Sequence, residues 1–187
     1  MKLLQNESIK ETIKECELIK TDIRNHTACF TGHRPQKLPW KFNEKDKSCV
    51  IMKKQLKKEL IDAIKDGYNT FITGMALGFD MICAETVLEL KKKYKHIKLI
   101  GALPCKNQDS KWPNSEQKRY RKLLPKLDCV RCIYDTYIGP ECMLERNRYM
   151  INNSSLLIAL FSGQNGGTKS TINYAKKQNL KIIIIEP

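Results

Sequence analysis

The apolar positions of this chain fall into short continuous runs, separated by stretches in which they recur every three or four residues. The runs at residues 27–31 (TACFT), 69–73 (NTFIT), 97–103, 129–133, 156–161 (LLIALF) and 181–185 (KIIII) read as strands, several of them apolar enough to be covered on both faces. Helical spacing occupies residues 46–65, where Val50, Ile51, Leu56, Leu60, Ile61 and Ile64 form the apolar set. A second helix opens after Gly78 with Phe79, Ile82, Cys83, Val87 and Leu90. Others are expected near 115–124, over 141–152, and from Thr168, which stands where an N-cap would be.

Strands that alternate with helices predict an α/β class. The specific expectation is a Rossmann-like, doubly wound, mainly parallel sheet of about six strands with helices on both faces. Neither an internal repeat nor a linker marks a second domain, so residues 27–187 read as one domain. Residues 1–26 read as an N-terminal helical extension, with Leu4, Ile9, Ile13, Cys16 and Ile19 or Ile23 near one stripe. Such a helix would dock on the domain or on a second subunit of a homodimer.

Composition narrows the function classes. Hydrophobic content of 41% and charged content of 29% are ordinary for a globular chain. No apolar stretch is long enough to span a bilayer and the N-terminus lacks a signal-peptide core, so a cytoplasmic protein with no membrane partner is expected. Cys29, Cys83 and Cys129 lie in apolar patterns, where free cysteine acts as a small hydrophobe. Cys129 and Cys132 have a zinc-like spacing but sit in an extended segment, where positions three apart face opposite ways, so no metal is expected. The net charge of +14 raises nucleic acid as a partner. Its lysines cluster within helix-like segments, which favours solvated helix faces over a dedicated nucleic-acid groove.

Glycine-bearing turns fall at three strand ends: Thr31-Gly32-His33-Arg34, Gly74 through Gly78 to Asp80, and Gly166-Gly167-Thr168. Folds of this class bind ligands at the carboxyl ends of their strands. Glycine allows close backbone approach, and free N–H groups at helix starts hold anions, so a phosphate-bearing small molecule is the natural partner. Each residue also has a plainer role. Arg34 could pair with a surface carboxylate, and His33 could satisfy a loop carbonyl. Asp80 caps its helix or meets a ribose hydroxyl. Arg146 and Asn147 form a polar site or a salt bridge. Glu85 is a base or a buried partner for Arg34 or Arg146. Trp112 and Trp40 stack a base or cover the sheet edge.

Five segments taken together carry a family resemblance: CFTGHRP (29–35), TGMALGFDMICAE (73–85), ALPCKNQDSKW (102–112), ERNRYMINNSSLLIALFSGQNGGT (145–168) and the NYAKK that follows. Over residues 27–187 the chain resembles the YpsA-like branch of the SLOG superfamily, which also takes in the cytokinin-activating phosphoribohydrolases and the DNA-processing protein DprA. The resemblance implies a Rossmann-like fold and a pocket for a nucleotide or an ADP-ribose-like derivative, with no other cofactor. The phosphoribohydrolase relatives carry PGGxGTxxE, whose glutamate and a nearby arginine serve hydrolysis of an N-glycosidic bond. Here the text is NGGTKST, and Thr171 stands in the glutamate's place. The resemblance therefore implies a nucleotide-binding sensor or regulatory module. Its alternatives are a nucleotide-processing N-glycosidase, with Glu85 as the candidate acid–base group, and a DprA-like binder of single-stranded nucleic acid.

Overall fold

The computed structural model describes residues 21–187. The predicted stripe on residues 4–19 lies outside the described residues. A single helical turn, α1 (Thr21–Arg24), leads into β1 (Thr27–Gly32). The order continues α2 (Lys47–Lys65), β2 (Thr70–Thr73), α3 (Phe79–Lys91), β3 (Lys98–Cys105), α4 (Asn114–Leu123) and β4 (Cys129–Tyr134). It ends with α5 (Glu141–Asn152), β5 (Leu156–Leu160), α6 (Gly167–Lys177) and β6 (Lys181–Ile185).

All six strands are parallel, in the spatial order β4-β3-β2-β1-β5-β6. Alternation along each strand assigns its side chains to two cores. Ala28, Phe30, Leu156, Ile158 and Leu160 face α2, α3 and α4, whose Leu56, Leu60, Phe79, Val87 and Leu123 close that side. Cys29, Ile72, Ala102, Leu157 and Ala159 face α5 and α6 through Met150, Ile151, Ile172 and Ala175. Phe30 and Phe71 stack across β1 and β2 with centroids 6.2 Å apart. Side chains of that size contribute roughly 1.5–3 kcal/mol each when fully buried.

The sheet changes direction at β1. The chain moves outward from β1 to β4, then crosses back to place β5 on β1's other side. The helix after β1 covers one face and the helix after β5 covers the other, which makes β1/β5 the topological switch point.

Three local expectations change. β3 continues through Pro104 to Cys105, because β2 pairs no further than Gly101 and the strand beyond has a neighbour on one side only. Helix α6 is capped by Gly166 instead of Thr168; Thr168 lies in the first turn with its side chain buried. Cys129 is disulfide-bonded, whereas Cys29 and Cys83 are buried free thiols as read.

Candidate functional site

A cleft of about 1140 Å³ opens above the carboxyl ends of β1, β2 and β3 and runs between α5 and α6. Arg34 and Gln36 enter from the loop after β1, Ala76 and Leu77 from the turn after β2, and Gln108, Lys111 and Trp112 from the loop after β3. The helices supply residues at three- and four-residue spacing: Leu144 and Asn147 with Arg148 from α5, preceded by its cap Pro140, and Gly167, Ser170, Tyr174 and Lys177 from α6. That spacing puts each set along one side of its helix.

The lining is cationic. Arg34, Lys111, Arg148 and Lys177 are present, and among the described residues no Asp or Glu lines the cleft. Arg148 is committed to Glu145 at 2.6 Å and lies over the Tyr174 ring. Arg34 is exposed and has neither an ion pair nor a side-chain hydrogen bond among the described residues, although an Arg normally spends its donors. The aromatic lining consists of Trp112, Tyr137 and Tyr174. Trp112 is held edge-on against Tyr120 at 5.3 Å, and Tyr120 in turn receives Gln108 Nε2 at 3.1 Å.

At the floor of the cleft lies a polar relay, buried at its Arg146 end. Arg146 is 5% exposed and donates from Nη1 to the Gly74 carbonyl and from Nε to Asn147 Oδ1 at 2.8 Å. Asn147 Nδ2 donates to Thr171 Oγ1 at 3.0 Å, and that hydroxyl donates to the Gly167 carbonyl at 2.9 Å. The turn after β2 is thereby connected through α5 to the start of α6. Asp80 stands 3.8 Å from Arg146, with its carboxylate also accepting from the Ala76 N–H at 3.4 Å. Burial pushes the Asp80 carboxyl above its ordinary value, and Arg146 opposes that shift. Burial likewise lowers the Arg146 guanidinium, against the pull of Asp80.

The structure sorts the sequence-derived residues into two groups. Arg34, Trp112, Asn147 and Gly167 meet on the cleft. The others support it from within or lie elsewhere. Thr31 and His33 are buried at the end of β1, and Gly32 packs against Phe79. A Cβ at Gly74 would lie 1.9 Å from Arg146 Nη1, so this glycine makes room for the guanidinium. Gly78 takes φ 90 and caps α3, and Gly166 takes φ 145 beside Lys37. Asp80 turns inward to Arg146 instead of outward to a ribose, and Thr168 is buried. Trp40, 4% exposed, is core. Glu85 is bonded to Arg119, not to Arg34 or Arg146: the guanidinium reaches Glu85 at 2.6 and 2.8 Å and Glu44 on its other side. No group of His, Cys, Asp and Glu that could hold a metal occurs among the described residues.

The sequence reading missed Lys111, Tyr137, Arg148, Ser170, Tyr174 and Lys177. For Arg148, Ser170, Tyr174 and Lys177 the signal available was polar and aromatic residues at helical spacing on α5 and α6; Lys111 and Tyr137 lie in loops and carried none.

The model of the YspA SLOG family matches residues 28–186. The chain belongs to the YspA SLOG family. Among curated relatives, a UPF0398 protein of Brevibacillus brevis is 36% identical over 128 residues, covering 68% of each chain. The uncharacterized SPbeta prophage-derived protein YoqJ of Bacillus subtilis is 36% identical over 155 residues, covering 77% of this chain and 86% of its own. Among solved structures, DprA from Streptococcus pneumoniae superposes with TM-score 0.61 at 14% identity, over 87% of this chain and 50% of that one. DprA from Helicobacter pylori, solved for its single-stranded DNA binding mode, gives 0.60 at 19% identity, over 94% and 75%. This SLOG chain therefore spans half the length of the pneumococcal protein and shares its fold.

Proposed function

We propose that this chain binds a nucleotide or a nucleotide derivative of the ADP-ribose type in the cleft, as a sensor or regulatory module. The observation that carries the reading is Arg34: an exposed guanidinium without a protein partner among the described residues, at the end of the central strand, in a cleft that presents no carboxylate. A phosphate is the group such a site is short of. The cleft is larger than most drug-sized pockets and suits a ligand longer than a mononucleotide. Trp112 and Tyr174 offer apolar surface for a base at its walls.

Calorimetry with ADP-ribose, NAD and AMP tests the proposal. Saturable binding of at least one of them, weakened by Arg34→Ala, is the expected result. Absence of heat with all three, or binding indifferent to Arg34→Ala, overturns it.

A second reading has an observation of its own. The same lining combines cations with aromatic side chains, the pairing that holds single-stranded nucleic acid, and the Helicobacter neighbour is described as binding single-stranded DNA. That reading expects affinity for an oligonucleotide to fall steeply with added salt, in proportion to the phosphates engaged. Weak, salt-indifferent binding would set it aside.

A further inference from the structure

Two strands bound the sheet, and they meet solvent differently. β4 carries Arg131 at its middle, a charge of the kind that discourages pairing with another chain. β6 is Lys181 followed by four isoleucines, with β5 on one side only. The Lys181 N–H donates to the Ser155 carbonyl at 2.9 Å, and the Ile185 carbonyl accepts the Phe161 N–H at 2.9 Å. In a parallel ladder every second residue serves the same neighbour, so residues 181, 183 and 185 spend their backbone groups on β5. The N–H and C=O of Ile182 and Ile184 therefore point to the open side, and among the described residues no strand takes them. Ile184 is also 40% exposed, and residues 182–185 contain no charge, proline or bulge to blunt the edge.

We infer that β6 is the site of self-association, pairing antiparallel with β6 of a second copy about a two-fold axis through Ile183. That register sets Ile182 opposite Ile184 of the partner subunit, and the reverse, so the two open-facing residues of each strand exchange N–H···O=C bonds with each other. Isoleucine then faces isoleucine across the junction, a β-branched pairing that suits the pleat. The flank of α2 beside the edge agrees with it. Asp66 there bonds Lys181 at 3.6 Å, and Glu59 and Asp62, at helical spacing from Asp66, are joined by Lys58 and Lys65. Glu59 and Asp62 share Lys58, Asp62 also meets Lys65, and Asp66 meets Lys181, so the acids on that flank are paired within one chain.

The pairing yields a continuous twelve-stranded sheet in which strand direction reverses at the junction. The two clefts then open at opposite ends of the assembly, each complete within one chain. The inference stands independently of what the cleft binds.

Sedimentation of the full chain over a wide dilution series, with hydrogen exchange at Ile182 and Ile184, tests it. The expected result is a species of twice the chain mass whose two amides are protected. Ile184→Pro removes only an outward-facing N–H and leaves the β5 ladder intact; it should give single-chain mass. Ile184→Lys, which places a charge on the edge without touching the backbone, should do the same even where the proline variant fails to fold. A wild-type chain that is monomeric throughout overturns the inference. So does a dimer that survives Ile184→Lys, or one in which both amides exchange freely, since either places the interface or the edge's occupant elsewhere.

Discussion

His33 Nε2 accepts the Ser162 N–H at 3.2 Å and stands 3.0 Å from the Ser162 hydroxyl, joining the ends of β1 and β5 across the switch point. An N–H donor requires an unprotonated nitrogen, so the clasp exists only with a neutral imidazole. Burial, and then the charge of Lys37, lowers the His33 pKa below its ordinary value. The unfolded chain therefore takes up this proton first as pH falls. Stability is lost from about pH 6.5 downward until the folded-state pKa is passed, and is fully present above that window. Thermal melts of wild type and His33→Gln across this range check the point: the wild-type advantage should shrink with acidification. A constant difference would remove His33 from the account.

Arg34 makes no ion pair or side-chain hydrogen bond among the described residues, and its charge favours the ionised Asp80 while opposing the ionised Arg146. Arg34→Ala should leave unfolding by urea within about 0.5 kcal/mol of wild type. Loss of a charge-assisted bond of roughly 1.5–3 kcal/mol would weaken a phosphate ligand about ten- to a hundredfold. Paired calorimetry and urea titration separate the two effects.

Gly74 faces the Arg146 guanidinium, with room for nothing larger than hydrogen. Gly74→Ala would put Cβ 1.9 Å from Nη1 and 2.6 Å from Asp80 Oδ2. Overpacking of this kind costs about 1–3 kcal/mol, and the rigid partners here point to the upper end. A denaturant midpoint equal to wild type would show that Arg146 has freedom to move.

Thr171 is the last side chain of the relay from Gly74 to Gly167. Thr171→Val keeps the shape but leaves Asn147 Nδ2 without its acceptor; that donor is part-buried at the cleft, so the loss should be about 1 kcal/mol. Thr171→Ser should restore most of it. A double-mutant cycle with Asn147→Ala should be non-additive; additive losses would mean that the two side chains act separately.

Glu85 belongs to the Arg119 cluster, and neither residue lines the cleft. Glu85→Gln should therefore leave ligand affinity unchanged. It should cost about 0–1 kcal/mol of stability, because the pair is partly exposed and Glu44 remains on Arg119. A large loss of binding would reopen its candidacy as an acid–base group.

The fold was legible because its signals are local. The run at residues 156–160 and the stripe Leu56, Leu60, Ile64 can each be buried in only one way, and the strand–helix alternation leaves few topologies. The place of Arg34 on the cleft was legible too, since a strand-end turn of this fold lies at the carboxyl edge of the sheet. The role of Gly74 was not: its glycine answers to Arg146, distant in sequence, and nothing nearby reports that contact. Asp80 misled for the same reason. Its position at a helix start suits a ribose, but the carboxylate's orientation is decided by a guanidinium from α5. Tyr174 and Lys177 were missed because their shared wall with α5 exists only after two helices pack side by side.

The strand order also sets a timetable. β1, the middle of the sheet, has β2 as one neighbour and β5 as the other, and the His33–Ser162 clasp joins residues 129 apart in sequence. As the chain leaves the ribosome, β1 to β4 can assemble while β1's second side is still bare. Until β5 arrives, the central strand of the finished protein is an outer one, exposed to any passing partner. The closing of that long loop is a slow, non-local step. The wall of the cleft supplied by α6 comes after it, so the cleft is complete only once β5 has closed the sheet.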